Sequence, residues 1–395
     1  MPQGCICQAA PKPTGRDEWI KRAQETATVL KIDAVERDAA SKPPFAEVQL
    51  LKDAGLVNLL GPRKFGGGGE TWGTSYKVST EIAKADASIG HLLGNHYSWF
   101  WSSQILGTPK QAERWLREFT EGNYYLGGAN AGDELVFNGD KFFSTGGVIS
   151  DITVLEGVFR GGTHVFAYVP TKQPGITFQG DWDVIGQRLT ESGGCVITNV
   201  KVLWSEAAGF VDKQLTPRDA YHDFILPPVQ LQFAAVHVGA AIGALETAAE
   251  YTRTRTRAWP YGGDNKTKAT EEWYILEGYG RLQAKIWAAE ALIDRTAELV
   301  SKAIHAPRAE LTHAARGEIA VQVAASKAHA IETALETASK IFELTGASAS
   351  LSRYRFDRFW RNTRVHSLHD PIAYKFREVG SWALLKEAPE PSWYT

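Results

Sequence analysis

The chain has 395 residues and a formal net charge of −2 at pH 7, from 43 Lys or Arg against 45 Asp or Glu. Such a balanced charge gives no broad electrostatic attraction to nucleic acid or to an anionic membrane. We expect no segment with the apolar length that crosses a bilayer, and residues 1–15 lack the apolar core of a secretory signal. We therefore expect a cytoplasmic protein that binds neither nucleic acid nor a membrane.

The chain contains three cysteines, Cys5, Cys7 and Cys195, together with 13 Trp and a single Met. An odd number of cysteines, two of them near the N-terminus, argues against a disulfide framework and for a reducing compartment. Two cysteines alone are too few ligands for a zinc site. With so little methionine, rigid aromatic side chains must shape the core and any pocket, which suits a flat aromatic ligand.

The first part of the chain is predicted to be helical. Apolar residues recur at helical spacing in five segments: 17–38, 44–54, 74–86, 89–106 and 109–121. The glycine run at 66–69 is interpreted as a turn and not as a phosphate loop, because no Lys-Ser/Thr pair follows it and no strand precedes it. Residues 1–122 are predicted to form an N-terminal helical domain.

The middle of the chain changes to the alternating pattern of strands. Asn138-Gly139 lies between two apolar runs and predicts a hairpin over 135–143, and Gly161-Gly162 predicts a second hairpin over 153–169. Residues 195–202 indicate a further strand. We expect residues 123–230 to form a central antiparallel β-barrel or sandwich.

Long helical patterns return in the last part of the chain. They cover residues 233–259, 271–306, 313–345 and 374–385. Three of these helices are long and rich in alanine, as in close-packed bundles. The polar Pro/Gly loop at 259–270 is either a lid or an ordinary connection. Residues 231–395 are predicted to form a C-terminal four-helix bundle, which makes the whole chain an α+β protein.

The last sixty residues carry the strongest functional signal. There His369 and Asp370 directly precede Pro371, which places the pair at a bend or a helix start. A carboxylate and an imidazole presented together at such a break are typical of a site. The segment 358–371 resembles the acyl-CoA dehydrogenase superfamily, and within it the group-D flavin-dependent monooxygenase branch, the dibenzothiophene monooxygenase-like group. The order helical, β and bundle is also that superfamily's architecture.

The resemblance implies a flavin beside the β region. Residues 139–147 are similar to the superfamily's flavin-facing strand, which makes Phe143, Ser144 and Thr145 the expected cofactor contacts. Phe143 would pack on the isoalloxazine edge, and Thr145 would hydrogen-bond near flavin N5. Asn130 matches an asparagine of the monooxygenase branch on the side where oxygen reacts. From the residues alone, Asn130 is interpreted as a turn residue.

Two further motifs gain a role from the resemblance. His91 and Asn95 are four residues apart on one helical face, where the branch has a histidine and a tyrosine facing the pocket. Asn95 has no phenol proton, so the substrate is expected to differ, and His91 could instead be a buried structural histidine. Arg255 and Arg257 match a segment that reaches the cofactor phosphate, often across a subunit boundary.

The branch also implies roles for the terminal pair. His369 would face flavin N5 and exchange a proton with a flavin peroxide, since an imidazole titrates near neutral pH. Asp370 takes the place of the catalytic glutamate of one dehydrogenase subgroup. His366 and His369 beside Asp370 could in principle bind a metal, but no further ligands stand at an obvious spacing, so we expect no metal.

The resemblance therefore implies a two-component monooxygenase. A separate flavin reductase would supply reduced FMN, and O2 would form a C4a-hydroperoxyflavin that oxygenates a small apolar or aromatic substrate, organosulfur compounds included. FMN is preferred over FAD because Glu343 and the single Gly346 replace the Gln and the Gly-Gly of FAD-binding relatives. A homotetramer is expected. The alternative is an FAD-dependent acyl-CoA dehydrogenase or a nitroalkane-oxidase-type enzyme with Asp370 as the base.

Overall fold

The computed structural model describes residues 12–130, 135–159, 162–211, 214–216, 219–262, 265–392 and 394–395. A helical region comes first, a region of small sheets follows, and long helices end the chain. This order confirms the predicted α+β fold class. The boundaries drawn after residues 122 and 230 stay predictions.

The described residues of the N-terminal region form six α-helices. They are α1 (Arg16–Ile32), α2 (Ala34–Ala40), α3 (Phe45–Asp53), α4 (Trp72–Ala85), α5 (Ala87–Leu106) and α6 (Pro109–Glu121). The predicted helix 17–38 is interrupted at Asp33 and becomes α1 and α2. Helix α6 agrees with its predicted bounds because Thr108 and Gln111 form a capping box around Pro109.

Helix α5 supplies one wall of the site described below. Asp86 caps its start by accepting hydrogen bonds from the backbone N–H groups of Ser88 and Ile89. The same carboxylate pairs with the buried Arg37 at 3.1 Å. The helix is buried on nearly all sides, so its polar residues are held in fixed positions inside the protein.

The β region contains three small sheets. The strands are β1 (Leu126–Asn130), β2 (Val136–Lys141), β3 (Ile152–Phe159), β4 (Thr163–Pro170), β5 (Ile176–Phe178), β6 (Cys195–Lys201), β7 (Phe210–Val211) and β8 (Gln214–Leu215). Their orders are β1-β3-β4, β2-β6-β5 and β7-β8. The pairing of β1 with β3 is parallel, whereas β3 and β4 form the second predicted hairpin in antiparallel register.

The first predicted hairpin is wrong. Asn138 and Gly139 lie within β2, which continues through them and pairs antiparallel with β6. The register shifts between Phe137 and Gly139, and the Asn138 side-chain oxygen accepts a hydrogen bond from the backbone of Asn199 at 2.7 Å. The Asn-Gly sequence therefore continues β2 opposite an extra residue of β6 and does not form a turn.

In the C-terminal region, the residues that the structure describes form five α-helices. They are α7 (Leu226–Thr254), α8 (Trp273–His305), α9 (His313–Thr345), α10 (Asp357–His366) and α11 (Ile372–Leu385). Helix α9 is central and packs against α7, α8, α10 and α11. Pro371 caps the start of α11, so the predicted helix start after the His-Asp pair is confirmed. Helix α10 was not predicted.

One helix of the described part is long and apolar enough to cross a membrane, by length and composition. It covers residues His222–Thr254, and 78% of its apolar window is buried inside the protein. The expectation that no segment reaches this length and apolarity is therefore wrong. Because α7 lies against α4, α5, α8 and α9, its apolar surface belongs to the bundle core.

Aromatic side chains dominate the largest core, as the composition predicted. Trp19, Trp115 and Tyr97 are among its fully buried members. Truncating such a side chain to alanine ordinarily costs about 3–5 kcal/mol of stability. A separate β core includes Cys195, which is 1% exposed. These two cores fix the helices and strands around the cavity between them.

Candidate active site

A cavity of about 1010 Å³ lies between α5, the β region and the segment that joins α10 to α11. This volume is at the upper end of the range for small-molecule and cofactor sites. Five of the predicted site residues line it: His91, Asn95, Phe143, Thr145 and His369. The fold thus brings together residues that are up to 278 positions apart in the sequence (369 minus 91).

The other predicted site residues do not line this cavity. Ser144 is buried and donates a hydrogen bond to the Gly193 carbonyl at 2.5 Å, and Asp370 is buried behind His369. The strand position of Asn130 is described, but its side chain lies outside the described part.

The two predicted phosphate ligands also lie elsewhere on the chain. Arg255 and Arg257 are exposed at the C-terminal end of α7, where Arg255 donates a hydrogen bond to Tyr354 at 3.2 Å. Within one chain they do not reach the cavity, so a phosphate contact from them needs a second subunit. Their role across a subunit boundary stays a prediction.

Polar groups fix one wall of the cavity. The Asn95 side chain donates a hydrogen bond to the Thr145 carbonyl at 3.3 Å, and this bond ties α5 to the segment after β2. The Thr145 hydroxyl is 2.9 Å from the hydroxyl of Ser192. The position where the branch has a tyrosine is therefore occupied by an amide that ties the segment after β2 to α5.

A stack of three histidines lies beside the cavity, and His91 and His366 line it. The His366 ring stacks on those of His91 and His237, at centroid distances of 4.1 and 4.7 Å and interplanar angles of 28° and 21°. Burial lowers the pKa of His91 to about 4 and that of His237 to about 3, and it holds the pKa of His366 well below its usual value. These imidazoles, named here the histidine stack, are neutral at pH 7.

His369 has different surroundings. Its side chain is 45% exposed, and its Nδ1 lies 3.3 Å from a carboxylate oxygen of Asp370, whose side chain is only 4% exposed. The same carboxylate oxygen accepts a hydrogen bond from Lys327, whose side chain is 2% exposed. These three residues are named here the Lys-Asp-His chain. Sequence reasoning found His369 and Asp370 but missed Lys327.

Opposing effects set the ionisation of the buried pair. Burial disfavours the charged carboxylate, but the hydrogen bond from His369 and the charge of Lys327 outweigh it and hold the pKa of Asp370 below its usual value. Burial also lowers the pKa of Lys327 to about 8, against the attraction of Asp370. Asp370 is therefore an ionised and weak base at neutral pH.

Phe233 contacts both the histidine stack and the Lys-Asp-His chain. Its ring centroid is 4.8 Å from that of His366 and 5.0 Å from that of His369. In the part of the chain that the structure describes, both ring nitrogens of His366 and Nε2 of His237 have no hydrogen-bond partner. Phe233 therefore packs against a neutral imidazole of the histidine stack and against the imidazole beside Asp370.

A second cavity of about 370 Å³ adjoins the first and shares Asn95, Trp99 and His369 with it. Most of its wall is apolar or aromatic, with Phe166 and Phe233 among the lining side chains. Glu156 contributes a carboxylate, which pairs with His164 at 2.9 Å, whereas no Lys or Arg of the described residues lines this cavity. His369 lies where the two cavities meet.

The main cavity fits a flavin mononucleotide. Its size suits a cofactor, and the exposed ring of Phe143 lies edge-on to Trp182 at its wall. Lys141 and Arg364 also line it, and such cations suit a phosphate. In the described residues, no group of three or more His, Cys, Asp or Glu side chains could hold a metal ion. Lys141 and Arg364 were not predicted as phosphate ligands, although they lie in the segments 139–147 and 358–371 that carry the resemblance.

Comparisons with known proteins give the context of this site. Two protein-family models match the chain: the acyl-CoA dehydrogenase N-terminal domain over residues 21–123 and the acyl-CoA dehydrogenase C-terminal domain over residues 231–373. Dibenzothiophene monooxygenase of Mycolicibacterium goodii is 37% identical, over 94% of this chain and 95% of that protein.

Two further relatives are similar over almost their whole lengths. A Pseudomonas putida protein, named "Probable FMNH2-dependent monooxygenase SfnC", is 33% identical over 98% of this chain and 100% of that protein. The crystal structure of dibenzothiophene monooxygenase TdsC from Paenibacillus sp. A11-2 with FMN and indole has a TM-score of 0.89 at 34% identity. It covers 96% of this chain and 100% of that chain.

Proposed function

Since the chain belongs to the acyl-CoA dehydrogenase family, in the branch that contains dibenzothiophene monooxygenase, we propose that it oxygenates a small neutral aromatic substrate. It is a flavin-dependent monooxygenase, and its cofactor is FMN. The observation that carries the proposal is the position of His369, which lies beside the ionised Asp370 where the cofactor-sized cavity meets the smaller one.

The residues present assign roles around the cofactor. When bound, reduced FMN supplies the electrons that activate O2. Lys141 and Arg364 would hold its phosphate, while Asn95 and Thr145 would keep the wall beside the ring system in place. Arg255 and Arg257 would add phosphate contacts from a neighbouring subunit.

His369 is proposed to manage protons in the cavity. With Nδ1–H donated to Asp370, Nε2 is free to deliver a proton to the reacting oxygen and to recover one afterwards. The apolar walls formed by Trp99 and Phe233 exclude water from this point, which protects the activated oxygen from side reactions.

The smaller cavity is proposed to bind the substrate. Its aromatic walls favour a flat apolar molecule, and a named relative was crystallised with indole. The carboxylate of Glu156, paired with His164, offers no attraction to an anion such as an alkanesulfinate, and no Lys or Arg of the described lining supplies one. We therefore propose neutral sulfur- or nitrogen-containing heteroaromatic compounds as the substrate class.

The alternative reaction requires Asp370 to abstract a proton. A general base is most effective when its pKa lies near the working pH. Asp370 has a lowered pKa and is bound to Lys327, so it is poorly suited to that role. This observation favours the monooxygenase over the dehydrogenase or nitroalkane-oxidase reaction.

Partners follow from the cofactor and from the surface. A flavin reductase supplies reduced FMN, and a homotetramer in the cytoplasm is proposed. Large apolar side chains such as Trp273 and Trp287 are 68% and 64% exposed on α8, and exposed apolar patches commonly mark interfaces. Light scattering on the flavin-bound protein is expected to give four chains, and a monomer that retains flavin would contradict the assembly.

Product analysis is the direct test of the reaction. The protein is supplied with reduced FMN, O2 and a panel containing dibenzothiophene, indole and methanesulfinate. We expect oxygenated product from the neutral heteroaromatic compounds, and binding of FMN that is tighter than that of FAD. Tight retention of FAD together with reduction by an acyl-CoA would contradict the proposed function.

A further inference from the structure

We propose that Lys327 is a positioning residue of the reaction, because it neutralises Asp370 and so leaves the proton of His369 transferable. This inference rests on the proposed function. It concerns a residue of α9 that lines neither cavity and is linked to His369 through Asp370. Lys327 is therefore expected to act on the reacting atoms through its neighbours.

The burial of Lys327 is the first argument. Its side chain is 2% exposed, although lysine is almost never fully buried without a partner. Its ammonium group donates hydrogen bonds to Asp370 and to the side-chain oxygen of Gln230, and it lies 5.4 Å from the ring centroid of Phe233. A buried ion pair is weak evidence for stability, since apolar residues of similar volume often serve as well. A role in the site explains the lysine better than packing does.

The charges around Asp370 are the second argument. Two cationic or ionisable neighbours face its carboxylate: Lys327 from α9 and His369 from the segment before α11. Lys375 and Glu378 of α11 also act on Lys327 with opposite signs, and they pair with each other at 2.9 Å. Among the described residues, α5, α7 and α10 contribute the neutral rings of the histidine stack, and the Tyr394 ring lies 6.0 Å from that of His369.

Removing Lys327 would therefore change the counter-ion of Asp370. A buried carboxylate must be paired or protonated, and the half-exposed imidazole of His369 at 3.3 Å is the nearest group that can take up a positive charge. His369 would then hold its proton as an imidazolium ion. With Lys327 present, the carboxylate is already balanced, so His369 can give up its proton and regain it.

The experiment compares the pH dependence of product formation in the flavin-loaded protein. In Lys327→Met, the pH at which activity falls on the alkaline side is expected to rise by about one unit or more, because the proton of His369 is held more tightly. The rate at pH 7 should fall, since a more tightly held proton makes a weaker acid. Lys327→Arg keeps the charge and is expected to restore the original profile.

A matched control and a double variant isolate the mechanism. Lys340 lies on the same helix, 51% exposed, and Lys340→Met should leave the profile unchanged. In an Asp370→Asn background, Lys327→Met should cause no further shift, because the carboxylate that couples the two residues is gone. If Lys327→Met does not fold, Lys327→Gln is measured in the same way, and circular dichroism reports the folding of each variant.

The outcomes separate this inference from the proposed function. No product from the unsubstituted protein with any member of the panel would overturn the function and the inference together. If the unsubstituted protein forms product, and activity falls at the same alkaline pH in Lys327→Met as in that protein, the role of Lys327 alone would be overturned. A shift towards lower pH would overturn it as well, since it would mean that Asp370 and not His369 takes up the proton.

Discussion

The histidine stack and the Lys-Asp-His chain both contact Phe233, and their histidines differ in their surroundings. His366 is buried between two other rings, whereas His369 is half-exposed beside a buried carboxylate. One imidazole is held neutral and the other is placed where it can carry a proton. The surroundings of a histidine therefore decide its function more than its presence in the cavity does.

Replacing His369 is expected to have the largest effect. His369→Ala should lower substrate oxygenation by about 10²–10⁴-fold, because the proton donor at the reacting oxygen is lost. FMN affinity should change little, and hydrogen peroxide release should rise because activated oxygen decays before it reaches the substrate. Both are measured with reduced FMN, O2 and substrate. A fully active His369→Ala would remove this residue from the mechanism.

Asp370→Asn distinguishes the two reaction classes in the same assay. If Asp370 only orients and charges the imidazole, the loss should be smaller than that of His369→Ala. If Asp370 is itself the base, as the dehydrogenase or oxidase reaction requires, the aspartate variant should be the more severe of the two. The ranking of the two variants therefore tests mechanism and class together.

The histidine stack should make stability depend on pH. The folded pKa values of His91 and His237 lie below the ordinary 6.5, so the unfolded chain binds more protons than the folded chain below pH 6.5. The stabilisation is fully present above that pH and is lost as the pH falls towards 4, at about 1 kcal/mol per pH unit for each histidine. Thermal unfolding from pH 7.5 to 5 measures it.

His237→Phe provides the control for this dependence. Phenylalanine can stack on His366 but cannot be protonated, and it removes a buried nitrogen without a hydrogen-bond partner among the described residues. The melting temperature of the variant should fall less steeply below pH 6.5 than that of the unsubstituted protein. Identical slopes would mean that carboxylates elsewhere cause the loss.

Of the substitutions at His369, Asp370 and Phe233, Phe233→Leu is expected to have the smallest effect on oxygenation. It keeps an apolar side chain but removes ring contacts to His366 and His369, and such contacts contribute about 0.5–1.5 kcal/mol each. Oxygenation should fall by about 2–10-fold, with a moderate rise in peroxide release. A loss as large as that of His369→Ala would show that the Phe233 ring itself, and not the neighbouring charge, distinguishes the two groups of histidines.

Local signals predicted the helices well and one strand connection badly. Helix α9 agrees with its predicted bounds because Thr312 caps its start and Gly346, at φ 82°, ends it. Asn138-Gly139 carries an equally strong local signal for a hairpin, but long-range pairing of β2 with β6 determines its conformation. Local patterns therefore predict a helix correctly where local residues cap its ends. They fail where pairing with a distant strand determines the conformation.

For the same reason, the sequence predicted only part of the candidate site. His369 and Asp370 are adjacent in sequence and stand before a proline, so one short segment reveals them. His91, His237 and His366 lie on three different helices, and only tertiary packing stacks their rings. Lys327 stands in an ordinary helical pattern, where nothing local marks it as buried. The sequence therefore identified the proposed proton carrier, His369, and missed Lys327 and the stacking of the other histidines around it.

The position of Cys195 in the β core has a consequence for oxidative self-damage. Hydrogen peroxide attacks thiolates and thioethers most readily. The single methionine of the chain is Met1, and Cys195 is 1% exposed, with burial raising its pKa to about 11. Residues 12–395 therefore carry one sulfur atom, which is shielded and protonated. Peroxide that leaks from the cavity would find no exposed sulfur in that part of the chain, and Met1, Cys5 and Cys7 hold the remaining sulfur atoms.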